Sequence, residues 1–302
     1  MTKAIFTTRI DPSYNDSPEQ FYHFPKQYLS RVKKTIGDWI VYYEPSRTGK
    51  QSARRDGRKA YFAIAQVVSI REDHQIKDHY YADVTGYMEF DRSIPFREND
   101  HFYESALRSQ QGQTATGVFQ NAVRAVPEEE YGLLLQAGFA TILTEQEPAH
   151  IEMNQPGLKE EQQIFQRPII EQITKRPFRD VAFKHNIRRA YDSTCAITGL
   201  KLINGGGRCE IEAAHIRPVG DGHNGPDSIR NGLALSRTFH WMFDRGLISL
   251  SNDHKILTAE NLIPDQVQGM LPRDHKIQIP NDPALQPHPQ YLEYHRDTIF
   301  KG

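Results

Sequence analysis

The stretch AAHIRPVGDGHNGPDSIRNGLALSRTFHWMFDRG, residues 213–246, constrains this chain more than any other. It begins at the end of an apolar run, crosses a Gly- and Pro-rich segment to Asn231-Gly232, and closes on His240 and Asp244, four residues apart. A short strand ending at His215 would hold that imidazole at a strand-to-loop junction, fixed by scaffold yet open to solvent. Asn231 and Gly232 suit a tight loop, where an amide side chain can bond main chain or imidazole. SRTFHWMFDRG, 236–246, reads as a short helix with Gly246 at its C-terminal cap. On it, a spacing of four stacks His240 and Asp244 on one face, within reach of a single divalent cation. Trp241, Phe243 and Leu247 cover other faces and can anchor the helix.

These are the parts of phosphodiester hydrolysis. One imidazole must take a proton from water near neutral pH, a role that suits His215. One metal must polarise a phosphoryl oxygen and stabilise the leaving oxygen, and His240 and Asp244 suit that. Asn231 would hold the loop or the His215 ring in register.

In its residues and its spacing of sixteen, nine and four, the run resembles the HNH, or ββα-metal, nuclease family. The resemblance implies a hairpin followed by a helix around one divalent ion, Mg2+ or Mn2+. His215 would be the general base, Asn231 would orient that base or its backbone, and His240 and Asp244 would ligate the metal. It also implies in-line attack by water, leaving a 5′-phosphate and a 3′-hydroxyl. Many members carry an Asp or His ligand immediately before the base, where this chain has Ala214. Glu212 shares the strand face of Ala214 and could substitute; it could equally be a solvated carboxylate. Asp221, His223 and Asp227 in the loop are further candidates. Members with a zinc knuckle bracket the motif with CxxC pairs. Cys195 and Cys209 cannot form one, so no structural zinc is expected.

At the other end of the chain, AIFTTRI, DWIVYYE (38–44), AYFAIAQVVSI (60–70) and YYADVTGYMEF (80–90) read as strands, the last ended by Pro95. Short helices are expected near 25–35 and 100–109. FYHFPKQYL, GDWIVYYEP and GRKAYFAIAQV together resemble the PUA-like β-barrels, nearest to their EVE- and SRA-like modified-base readers. Such a reader needs a pocket for a flipped base. Tyr22, Phe24, Trp39 and Tyr43 are the pocket candidates, although aromatic residues at strand spacing commonly belong to a core. The segment 47–59 holds six Lys or Arg against one Asp. Arg47, Lys50, Arg54, Arg55, Arg58 and Lys59 are therefore candidate DNA contacts, or simply a solvated loop.

The expected architecture is a two-domain α+β chain: a PUA-like β-barrel with short helices over 1–125, a helical connector and linker over 126–162, and an HNH domain with additional helices over 163–302. Within the connector, 128–139 carries a helix start and stop. RPFRDVAFKHNIRRAY, 176–191, is helical, and CAITGLKLINGGGRCEIEAAHI is expected to form two short strands around Gly205-Gly206-Gly207, across which the two cysteines could face each other. LISLSNDHKIL, 247–257, reads as a hairpin, and the tail as one strand and a terminal helix after Pro289.

Together the two resemblances imply a modification-dependent restriction endonuclease acting on double-stranded DNA that carries methylated, hydroxymethylated or glucosylated cytosine. A non-catalytic reader and a PUA-like RNA-binding protein are the alternatives. One metal site cuts one strand, so a homodimer is a possible partner state, and YLEYHRDTIF could serve it or pack on its own domain. No uncharged apolar run approaches the ~20 residues of a membrane span, and the opening residues lack the apolar stretch of a signal peptide, so the cytoplasm is the default compartment.

Overall fold

The computed structural model describes residues 2–8, 17–45, 58–145, 173, 176–204, 209–220, 222–259 and 262–302. The chain divides into two compact units, Met1–Arg179 and Asp180–Gly302.

The first unit is β-rich. Its elements are β1 (Ala4–Thr7), β2 (Phe21–Pro25), α1 (Leu29–Lys33), β3 (Trp39–Glu44), β4 (Ala60–Glu72), β5 (His79–Pro95), β6 (Arg97–Glu98), β7 (His101–Phe102), β8 (Val123–Ala125), α2 (Glu128–Gly138) and α3 (Ala140–Glu145). Six strands form one sheet in the order β2-β5-β4-β3-β1-β8, with β1 parallel to β3 and the other pairs antiparallel. Register shifts at Tyr42/Tyr43, Tyr61/Ala63, Ile64/Gln66 and Val67/Ser69 bend the long β3-β4-β5 meander. The expected barrel is not closed among the described residues, because β2 and β8 remain edges. Instead α1 contributes buried Val32 to a core of Phe6, Tyr22, Phe24, Ile40 and Tyr42.

The helix expected near 100–109 is a correction. Asn99 (φ 45°) and Asp100 (φ 69°) make a tight left-handed turn that pairs β6 with β7, and only Ser105–Leu107 coils, as a 3-10 turn.

The second unit holds α4 (Arg176–Ala190, which crosses the division), β9 (Glu212–His215), β10 (Gly232–Leu235), α5 (Arg237–Asp244), β11 (Ile248–Leu250), β12 (Ile256–Thr258), α6 (Asp265–Gln268) and α7 (Pro289–Thr298). The two strands expected around the triple glycine are also corrected. Residues 205–208 lie outside those described, and what flanks them is a single bridge between Ile203 and Cys209. Cys209 thus faces Ile203, and both cysteines are free thiols. β9 pairs instead with β10, antiparallel, His215 opposite Gly232 and Glu212 opposite Leu235. β10 is GLAL, buried throughout, and supplies the apolar partner that β9 needs. The expected 247–257 hairpin is β11 with β12, while the tail strand is reduced to a bridge between Lys255 and Lys276.

Two glycines position the β9–β10 hairpin and α5. A Cβ on Gly232 would stand 2.3 Å from Ile187 Cδ1 and 2.8 Å from Phe183 Cζ, so only glycine lets β10 lie this close to α4. Gly246 adopts φ 69° just past α5, and a Cβ there would meet Ile299 O at 2.0 Å. Phe239, Met242 and Phe243 bury one face of α5 in the core, which aims its opposite face outward.

Candidate active site

The β9–β10 hairpin and α5 bring together the residues singled out by the sequence. His215 ends β9 with 23% of its side chain exposed. Its Nε2 lies 3.0 Å from Asp227 Oδ1, and the Asp227 side chain is almost wholly buried. A carboxylate only accepts, so Nε2 carries the hydrogen and Nδ1 is left with a lone pair. The ring also stacks on Phe183, centroids 3.8 Å apart and planes 7° from parallel, which fixes its orientation. A base held in one tautomer and one plane, its free nitrogen within reach of solvent, meets the geometric demand of proton abstraction from water.

His240 is held from the opposite strand end. Its Nδ1 lies 2.9 Å from Glu212 Oε2, and Arg237 Nε donates to Glu212 Oε1 at 2.9 Å. The hydrogen bond from His240, with a further one from Arg237, keeps the Glu212 carboxyl below its ordinary value despite partial burial. Glu212 is therefore an acceptor, Nδ1 is the protonated nitrogen, and a neutral His240 turns the Nε2 lone pair toward Asp244 Oδ2, 3.4 Å away. More than half of the Asp244 side chain is accessible, yet the protein mass around it raises its pKa.

Two lone-pair atoms facing one another call for a positive charge nearby. An imidazole nitrogen and a carboxylate oxygen suit a divalent ion that keeps several waters, as Mg2+ does when one or two protein groups and a substrate phosphate hold it. Among the described residues no three His, Cys, Asp or Glu side chains converge as a metal-binding group. His240 and Asp244 are thus the two side chains here that could hold such an ion, and a carboxylate stands behind the histidine, as is frequent behind metal-binding imidazoles. Glu212 engages the nitrogen of His240 remote from Asp244, so it is placed to orient the His240 ring.

Asn231 is fully buried and does not bond the His215 ring. Its Oδ1 accepts from Arg217 N at 2.8 Å, and its Nδ2 donates to Arg217 O and Pro226 O, each at 2.9 Å. Its own carbonyl accepts from Ile216 N at 2.9 Å. The asparagine ties both ends of the 217–226 loop and so sets where Asp227 meets His215. His223 turns its Nδ1 to Tyr294 Oη, 2.9 Å away, on α7. Asp221 lies outside the described residues.

Asp227 was legible only as a loop carboxylate, and Phe183 and Arg237 carry no spacing signal. Their roles follow from how the loop and α4 pack on the hairpin.

In the first unit, Tyr22 and Phe24 lie in the core, and Tyr22 Oη donates to Thr7 O at 3.2 Å. Tyr43 is buried between Tyr61 and Phe119, with its hydroxyl pushed up to about 12 by burial. Trp39 keeps partial exposure and covers Gly86. Of the basic candidates, Arg58 pairs with buried Glu44 at 3.3 Å and Lys59 is exposed. Arg47, Lys50, Arg54 and Arg55 lie outside the described residues.

The same unit contains a cavity of about 470 Å³ bordered by Arg31, Lys34, Glu104, Asn121 and Arg124. Buried Arg124 clasps Glu104 through Nε to Oε2 at 2.9 Å and a terminal nitrogen to Oε1 at 2.7 Å, and Tyr61 Oη donates to Glu104 at 2.6 Å. Burial and that Glu104 bond push the Tyr61 hydroxyl far above its ordinary range. No helix among the described residues is long and apolar enough to cross a membrane.

Among solved structures, the chain is similar to a modification-dependent TagI restriction endonuclease, with 14% identity over 98% of this chain and 81% of that one and a TM-score of 0.33. It is also similar to the type IV phosphorothioation-dependent restriction endonuclease ScoMcrA, with 10% identity over 80% of this chain and 52% of that one and a TM-score of 0.19. No curated protein matches the chain. Residues 195–251, which include Glu212, His215, Asp227, Asn231, His240 and Asp244, match the model of the HNH endonuclease family.

Proposed function

We propose that this chain is a metal-dependent DNA endonuclease that cuts near modified cytosine, the second unit cutting and the first selecting the target. The observation that carries the reading is the pair of carboxylate-oriented imidazoles, His215 on Asp227 and His240 on Glu212, within the segment that matches the HNH family.

In this reading His215 Nδ1 takes the proton of an attacking water. Asp227 holds the other ring nitrogen and stabilises the imidazolium that forms, as a carboxylate partner does in other His-based sites. Phe183 keeps the ring in plane. His240 and Asp244 would hold one divalent ion, with Glu212 fixing the His240 ring. That ion supplies Lewis-acid stabilisation of the charge that builds on the scissile phosphate and the leaving oxygen. Water adds in line to phosphorus as the bond to the 3′-oxygen breaks, and the leaving oxygen takes a proton from solvent, so the products are a 5′-phosphate and a 3′-hydroxyl.

Selection is assigned to the PUA-like, EVE- or SRA-like first unit. Its support is the cavity of about 470 Å³, large enough for a base and bordered by Arg31, Lys34 and Asn121, polar side chains that are not buried and can hydrogen-bond a base edge. Burial takes Tyr22, Phe24 and Tyr43 out of reach of a ligand, and Trp39 remains as the partly exposed aromatic.

The test is cleavage of matched duplexes carrying cytosine, 5-methylcytosine, 5-hydroxymethylcytosine or its glucosylated form, in Mg2+ or Mn2+ and with chelator. Cutting confined to modified duplexes, and lost with chelator or His215→Ala, is expected. Equal cutting of all four removes the modification clause. No cutting in any metal leaves a DNA reader, and tighter binding of structured RNA overturns the assignment.

A further inference from the structure

The helix that carries the candidate metal seat has a second ridge. Arg237, Trp241 and Arg245 recur every four residues, so they line one side of α5 immediately beside the ridge of His240 and Asp244. Trp241 is 59% exposed, the largest fraction among the exposed large hydrophobic residues that are described. Its helix neighbours Phe239, Met242 and Phe243 are buried, so the core leaves this indole out. Among the described residues the indole has neither a hydrogen-bond partner for its N–H nor a stacking ring or cation. Arg237 exposes 81% of its side chain and commits only Nε to Glu212, and Arg245 at the helix end is exposed.

We infer that Trp241 wedges into a base step of the duplex, opening it and stacking on a nucleobase of the strand being cut, with Arg237 and Arg245 gripping phosphates on either side, and so positions the scissile phosphate at His240 and Asp244. This deepens the endonuclease reading and rests on it. The chemistry matches: an aromatic plane takes any base without reading its edge, and flanking guanidinium groups bind phosphate without sequence preference. The dimensions match as well. Arg237 and Arg245 are eight residues apart, about 12 Å of helix axis, comparable with three duplex steps of about 3.4 Å each. Trp241 is one residue from His240 and three from Asp244, so a base on the indole lies within a helical turn of both donors. Trp241 is thus a positioning residue that leaves the proton transfer to His215.

The experiment uses the full chain and the duplex most readily cut in the four-duplex comparison. Trp241→Ala should lower kcat/KM by roughly 5- to 150-fold, the worth of one stacked base, through KM more than kcat. Trp241→Phe should recover most of that loss, and neither variant should lower the Tm, because the ring supports no core. In the cleavage-dead His215→Ala background, duplex binding followed by anisotropy of a labelled DNA should quench indole emission. The quench should shrink in His215→Ala/Trp241→Phe to the part that Trp39 alone contributes. Binding and cutting by Trp241→Ala at wild-type values, or a quench unchanged by Trp241→Phe, overturns this inference and leaves the endonuclease standing. A wild-type protein that neither binds nor cuts any duplex brings down both.

Discussion

His215 gives its Nε2–H to Asp227 across 3.0 Å and leaves Nδ1 as its one basic nitrogen. Asp227 sits in the loop between the base and Asn231, and its side chain is almost wholly buried, so its charge acts on the imidazole with little screening from water.

His215→Ala is therefore expected to lower kcat by about 10²- to 10⁴-fold while the protein still binds DNA, since a general base contributes on that scale. Asp227→Asn keeps the shape but removes the charge that orients the ring and supports the imidazolium. Its expected loss is smaller, roughly 10- to 100-fold in kcat with an unchanged KM, the scale of losing a carboxylate behind a histidine. Single-turnover cleavage alongside equilibrium binding separates the two parameters. An Asp227→Asn enzyme that cuts as fast as wild type would show that the 3.0 Å contact has no part in the chemistry.

How much of this could be read beforehand differs between the two units. The strand end at His215 and the one-face spacing of His240 and Asp244 are local and follow from periodicity, whereas a hairpin set against that helix is implied only by the resemblance to the HNH family, and its true partner strand, β10, is not foreseen. The role of Asp227 is not local. It lies twelve positions beyond His215 in the sequence, and the clamp by Asn231 on the loop sets where its carboxylate meets the ring. Phe183 comes from α4, and its stacking depends on the absence of a side chain at Gly232, a packing fact with no one-dimensional signature. In β3 the alternation of a strand puts Ile40 and Tyr42 on one face and Trp39 and Tyr43 on the other. It does not reveal that both faces are covered, the first by the α1-side core and the second by Tyr61 and Phe119. Aromatic residues that looked like pocket walls consequently sit in a core, while the cavity opens beside Arg124 and Glu104, residues that carried no motif.

A buried histidine behind α5 makes the second unit sensitive to acid. His295 on α7 stacks on Phe243, gives Nε2–H to Phe243 O at 3.1 Å and accepts from Ser249 Oγ at 2.8 Å. Burial lowers its pKa from 6.5 to about 4. Above pH 6.5 neither the folded nor the unfolded chain protonates this ring. As pH falls through 6.5 the unfolded chain takes up a proton that the native ring refuses, so stability drops until the native ring also titrates near pH 4. Two and a half pH units correspond to a loss on the order of 3 kcal/mol. Denaturant unfolding of wild type and His295→Gln should give a gap that narrows steadily from pH 6.5 to 4, with the variant's profile the flatter. Parallel profiles across that range would refute the assignment of the acid sensitivity to His295.

Asn231 offers a sharper test, because its amide both donates and accepts. Its Nδ2 serves two carbonyl oxygens, of Arg217 and Pro226, and its Oδ1 serves one backbone N–H, of Arg217, all without exposure to water. Asn231→Ala strands those three groups. At about 1–3 kcal/mol for each buried group left unsatisfied, and with some relief from water entering the space, a loss of roughly 2–4 kcal/mol is expected. Asn231→Asp is isosteric and would look conservative in a sequence, but it replaces the double donor by an oxygen and points a carboxylate at two carbonyl dipoles. It should therefore destabilise the domain at neutral pH more than Asn231→Ala, and recover relative to alanine as acid protonates the new carboxyl. Both variants should also slow cleavage, because the loop they release holds Asp227 against His215. Unfolding midpoints at neutral and mildly acidic pH decide the matter: an Asn231→Asp variant as stable at neutral pH as the Asn231→Ala variant would mean that the amide is not donating to the two carbonyls, and that some other contact closes the loop.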